Sequence, residues 1–122
     1  NIKSYGFINI DSQTFKELIQ KCGFVIYPSC SEGGGAAILN VCGNGGLIPI
    51  LTKEASIDVD DFGFIIKAFE DSAIKTAIDS SQSLSEVEMK IRSNNSGNKF
   101  SYYSISKYKE QLKAYLELIL NK

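Results

Sequence analysis

The apolar run Phe24-Val25-Ile26-Tyr27 stops at Pro28 and gives way to Ser29-Cys30-Ser31-Glu32-Gly33-Gly34-Gly35. Ala36-Ala37-Ile38-Leu39-Asn40 follows, and Gly45-Gly46 leads into a second apolar run, Leu47 to Leu51. That order reads as strand, glycine-rich turn, helix, glycine-rich turn, strand. A strand that is apolar throughout belongs in a parallel sheet covered on both faces. The expected fold class is therefore α/β, a Rossmann-like parallel sheet flanked by helices. A helix opening near Gly34 or Gly35 points its unpaired N–H groups and the positive end of its dipole at the crest of the turn. Three consecutive glycines strip every Cβ from that crest, so a phosphate or a sugar can approach the main chain closely.

Size and charge narrow the classes. A chain of 122 residues supports one domain, here taken as 1–122, and 43% apolar with 22% charged residues is the balance of an ordinary globular protein. The formal net charge is −1, with lysines spread between acids, so no basic face points to nucleic acid or an anionic membrane. No run has the length of a transmembrane helix, and Asn1-Ile2-Lys3-Ser4-Tyr5 has neither an initiator Met nor a secretory h-region. The expectation is a cytoplasmic piece of a longer protein. Cys22, Cys30 and Cys42 are odd in number, lack metal-ligand spacing, and are expected to be small buried hydrophobes in a reducing compartment. With no His in the chain, zinc sets and Ser-His or Cys-His pairs are excluded, and acid–base work falls to carboxylates.

The remaining segments supply the flanking elements. Tyr5-Gly6-Phe7-Ile8 alternates and predicts a first strand within Ile2 to Ile10. Asp11 suits an N-cap, with Ile10 and Phe15 as its hydrophobic staple, and Phe15, Leu18, Ile19 and Cys22 give a helical stripe ended by Gly23 as a left-handed cap. Pro49 lacks a ladder donor and argues for a sheet edge or a local irregularity. Lys53 to Asp61 reads as loop and Phe64-Ile65-Ile66 as a last strand entered through Gly63. Phe69, Ala73, Ile74, Ala77 and Ile78 mark a helix, and Ser83 with Glu86 marks a capping box for another that carries Val87 and Ile91. Ser93-Asn94-Asn95-Ser96-Gly97-Asn98 is small and polar, expected as an exposed and mobile connection. Ser104 caps a final helix with Ile105, Tyr108, Leu112, Tyr115, Leu116 and Ile119 on one stripe, the two tyrosines being placed in the core in preference to an interface left without its partner.

Pro28-Ser29 and Glu32-Gly33-Gly34-Gly35 resemble the donor-binding segment of GT-B glycosyltransferases, especially the large retaining group, family four. The signature there is Pro-Ser, then Glu-Gly-x-Gly, then a second Glu on the following helix, where this chain has Asn40. The diagnostic match covers Tyr27 to Leu51, and element order agrees from about Gly6 to Leu120. The resemblance implies the C-terminal part of a donor domain, with a nucleotide-sugar as substrate, no metal and no other cofactor. It implies that Glu32 contacts the transferred sugar near its reacting centre, that Ser29, Gly33, Gly34 and Gly35 receive diphosphate and sugar, and that Asn40 holds the ribose. It also implies a missing N-terminal domain as partner of the last helix. Basic groups that neutralise the departing diphosphate would come from upstream, so this stretch alone is expected to be inactive.

Without that likeness, the glycines satisfy a tight turn, Glu32 is a solvated acid, and Asn40 sits on an exposed helix face. Ser29 and Ser31 then simply brace the turn. Asn40 lies five residues past Gly35, about 7 Å deeper along a helix. A neutral hydrogen bond there contributes about 1 kcal/mol against about 1.5–3 for a charged one. That departure keeps open a non-catalytic nucleotide- or phosphate-binding module, or a degenerate domain kept for protein contact.

Overall fold

Ile48-Pro49-Ile50-Leu51-Thr52 is buried at every position, as a strand must be when it has neighbours on both edges and helices over both faces. The computed structural model, which describes residues 2–121, places this strand, β2, at the centre of a three-stranded sheet. It lies between β1 (Phe24–Tyr27) and β3 (Phe64–Ile66), parallel to both. Phe24 stands opposite Ile48, and Ile50 opposite Phe64. The expectation that Pro49 marks an edge is corrected. The N–H of Ile48 donates to the Gly23 carbonyl at 2.9 Å, toward β1, so the N–H that Pro49 lacks would point the other way. On that side pairing with β3 begins only at Ile50, so no bond within the ladder is lost.

The helices among the described residues are α1 (Gln13–Ile19), α2 (Ala36–Gly45), α3 (Asp71–Gln82), α4 (Glu86–Ser101) and α5 (Ile105–Leu120), with a 3-10 turn at Lys53–Ala55. Side-chain alternation divides the sheet. Val25, Tyr27, Leu47 and Leu51 join Phe15, Ile19, Ile38, Cys42 and Phe100 in the larger core beneath α1 and α2. Ile50 and Ile66 pack with Ala73, Ile74 and Ala77 of α3 on the opposite face. Helices therefore lie on both faces of a parallel sheet. Cover is incomplete at its margins, where Ile26 of β1 and Ile65 of β3 are 46% and 42% exposed.

α4 runs beneath the ends where the strands begin. Ser96 Oγ donates to the Leu47 carbonyl, Arg92 Nη1 to the Asp61 carbonyl, and Phe100 meets Phe62 edge-on with ring centroids 5.7 Å apart. The segment Ser93–Asn98, expected as a mobile connection, is thus the middle of a helix packed closely on α2. Small residues are what this contact requires. A Cβ on Gly43 would lie 3.3 Å from the Phe100 carbonyl, and one on Gly46 would lie 2.9 Å from Ser93 Oγ. Low helix propensity is outweighed by the packing that the small side chains permit.

Several boundaries shift. Residues 2–10 form no strand: Gly6 turns the chain at φ +61°, Ile2 and Phe7 stand in solvent, and Ile8 alone reaches the core. Ser12, not Asp11, caps α1 by accepting from the Phe15 N–H, which leaves Ile10 outside stapling position. That helix ends at Ile19, before Gly23 can act as its cap, and Cys22 lies beyond it in the open. Phe69 precedes α3 and is exposed. The capping box belongs to Ser85 and Glu88 rather than Ser83 and Glu86, and Val87 and Ile91 face solvent. Ser104 does cap α5, but that helix has no buried residue, so Tyr108 and Tyr115 are not core. Among the cysteines only Cys42 is buried.

Candidate functional site

The carboxyl end of β1 carries the loop that the sequence singles out. At the carboxyl end of the strands in an open parallel sheet, helix N-termini and loops converge. Thr52, the last residue of β2 and 1% exposed, donates its hydroxyl to the Ser29 carbonyl. The loop is thereby tied across the sheet to the central strand. Glu32, half-buried, folds back over the strand end: Oε1 accepts from the Tyr27 phenol and from Ser29 Oγ at 3.3 Å. Ser29 Oγ has one proton and also stands 3.3 Å from the Ser31 carbonyl, so it serves one acceptor at a time. The hydrogen bond to Glu32 raises the Tyr27 phenol above its ordinary value of 10.0, with loss of hydration and the carboxylate charge adding to it.

Beyond Glu32 the three glycines differ in what they do. Gly33 and Gly34 are exposed, and a Cβ on either would meet nothing within 4 Å. Gly34, at φ +146°, holds a conformation that side chains rarely adopt. Gly35 is buried at φ +38°, and a Cβ there would overlap Ile57 Cδ1. It is the N-cap of α2, with its carbonyl accepting from the Ile38 and Leu39 N–H groups, and no side chain caps the first turn. The leading N–H groups of a ten-residue helix are therefore available at the crest to an acceptor from outside.

The structure brings Ser29, Glu32, Gly33, Gly34 and Gly35 into one loop at one sheet edge. Asn40 is placed differently. It lines a shallow cavity of about 250 Å³ between α2 and the α4–α5 turn, beside Gly43, Phe100, Tyr103 and Ser104. Sequence reasoning passed over Tyr27 and Thr52. Their signal is position: each is the hydroxyl-bearing residue that closes an apolar run at a strand's carboxyl end.

Among the described residues no group of three or more His, Cys, Asp and Glu side chains is placed to hold a metal ion. No helix among them is long and apolar enough to cross a membrane. Compared with protein-family models, curated proteins and solved structures, the chain matches none.

Proposed function

We propose that this chain binds the donor of a sugar transfer, a nucleotide-sugar, at the carboxyl end of β1, as part of a GT-B glycosyltransferase of the retaining kind. The observation that carries the reading is the crest itself: an uncapped helix N-terminus, two glycines open to solvent and an oriented carboxylate within one short loop. Helix N–H groups suit a diphosphate, and a carboxylate suits sugar hydroxyls. In the assembled enzyme the bond from the anomeric carbon to the diphosphate oxygen breaks, and the diphosphate leaves with the electron pair. The acceptor hydroxyl oxygen forms the new bond and gives its proton to the departing diphosphate oxygen, the acceptor being held by a separate N-terminal domain. The N-terminus of α2 stabilises charge that develops on the departing diphosphate. Glu32 orients the sugar, and the three unpaired thiols suit a cytoplasmic setting.

A second reading, nucleotide or phosphate binding without transfer, is favoured by one observation. Asn40 is uncharged and lines the cavity at the α4–α5 turn. Calorimetric titration with UDP, GDP, UDP-glucose and GDP-mannose tests both readings. Saturable binding that Glu32→Ala weakens for the sugar conjugates supports the donor site, and absence of binding by all four removes it. Binding to the full-length parent with no sugar transfer selects the second reading.

A further inference from the structure

Glu32 uses one carboxylate oxygen for the protein and keeps the other. Oε1 accepts from the Tyr27 phenol and lies within reach of the Ser29 hydroxyl, while among the described residues no hydrogen-bond donor reaches Oε2. Glutamate is among the side chains with most rotamer freedom, and a loop position gives it little packing to limit that freedom. Here the restraint comes from outside the loop. Tyr27 is the last residue of β1, paired in register with Leu51, and its ring packs on the larger core. Its phenol is thus a fixed donor on a rigid strand. Thr52, at the end of β2, holds the opposite side of the loop through the Ser29 carbonyl.

We propose that Tyr27 is a positioning residue: its phenol fixes the Glu32 carboxylate so that Oε2 stays available to a sugar hydroxyl of the ligand at the crest. This rests on the donor-site reading above and adds to it a device for discriminating the sugar conjugate from the bare nucleotide. A diphosphate is received by helix N–H groups and has no use for Oε2, whereas a sugar hydroxyl donates to it. Restraining that acceptor before binding removes an ordering cost that only the conjugate would otherwise meet.

Two measurements test the proposal. In the ligand-free protein, the ultraviolet titration of the phenol, isolated as the difference between wild type and Tyr27→Phe, is expected to lie above the ordinary tyrosine range and to return to it in Glu32→Gln. A Tyr27 that titrates normally in wild type overturns the proposal. In calorimetry, Tyr27→Phe is expected to weaken UDP-glucose or GDP-mannose about fivefold while leaving UDP and GDP unchanged. In a Glu32→Gln background it should cost nothing further. Equal losses for conjugate and diphosphate, or no loss, overturn it. Wild-type protein that takes up none of the four ligands defeats the donor-site reading, and with it the role in sugar recognition. The phenol titration then still separates a Tyr27 that holds Glu32 from one that does not.

Discussion

The Ser96 hydroxyl, wholly buried in α4, donates at 2.7 Å to the carbonyl of Leu47, the residue that leads into β2. Leu47 lies one residue before the ladder begins, so its carbonyl depends on a partner from outside the sheet. Ser96→Ala is expected to lower stability by about 1–3 kcal/mol, because a buried acceptor is left without a donor. Urea unfolding should show a lower midpoint at unchanged slope.

One substitution at two glycines separates the structural from the exposed members. Gly46 caps α2 at φ +64°, and a Cβ there would stand 2.9 Å from Ser93 Oγ. Gly46→Ala should cost about 1–3 kcal/mol through left-handed strain and displacement of α4. Gly33→Ala, pointing into open space, should change stability by no more than about 0.5 kcal/mol. Thermal unfolding of the two variants side by side checks the contrast.

Burial pushes the Cys42 thiol up to about 11, with the Ser96 hydroxyl offsetting part of the rise. Cys22 and Cys30 lie in the open. Brief alkylation of native protein near pH 8 should therefore modify these two and spare Cys42, while alkylation in urea modifies all three. Intact mass reads the number of adducts, and peptide mapping gives the sites.

Alkaline stability should depend on Tyr27. Its folded-state value is raised by the hydrogen bond to Glu32, so the protonated phenol contributes stability below about pH 10, the ordinary tyrosine value. That contribution is lost as pH rises through the higher folded value. Wild type should lose melting temperature more steeply above pH 10 than Tyr27→Phe, whose profile lacks this group. Parallel slopes would contradict the linkage.

Protection against hydrogen exchange should be graded along the chain. β2 is buried at every residue, whereas α5 buries none, and a lone helix of 16 residues is marginal in water. Amides of Ile48, Ile50, Leu51 and Thr52 should exchange last and those of α5 first. Ending the chain after Tyr103 should leave the main unfolding midpoint nearly unchanged.

Much of the arrangement was legible because short-range chemistry and the fold agree. Phe24–Tyr27, the second apolar run and Phe64–Ile66 sit within about a residue of where composition puts them, and the Ala-rich helix starts at Ala36 as expected but runs past Cys42 to Gly45. The failures have separate physical sources. Ser93–Asn98 has the composition of a turn, and the close approach of Gly46 to Ser93 and Gly97 makes those small residues better placed in a helix than in solvent. The stripe on α5 has core periodicity with no core beneath it, since periodicity records an apolar face and not what covers it. Ser12 and Ser85 each cap one or two residues from the expected place, where several cap-forming residues stand together. At the site, Glu32 and the glycines were evident from their types. The link from Thr52 to Ser29 spans 23 residues, and nothing local announces it.

β2 is tethered at both ends, to α4 through Leu47 and to the crest loop through Thr52. The loop is therefore anchored on the strand expected to open last. A ligand held at the crest shifts the equilibrium of the whole domain, raising its stability by RT ln(1 + [L]/Kd). For the ligand proposed above, heat denaturation would gauge occupancy at the crest, and a molecule bound only to α5 is expected to leave the main transition where it was.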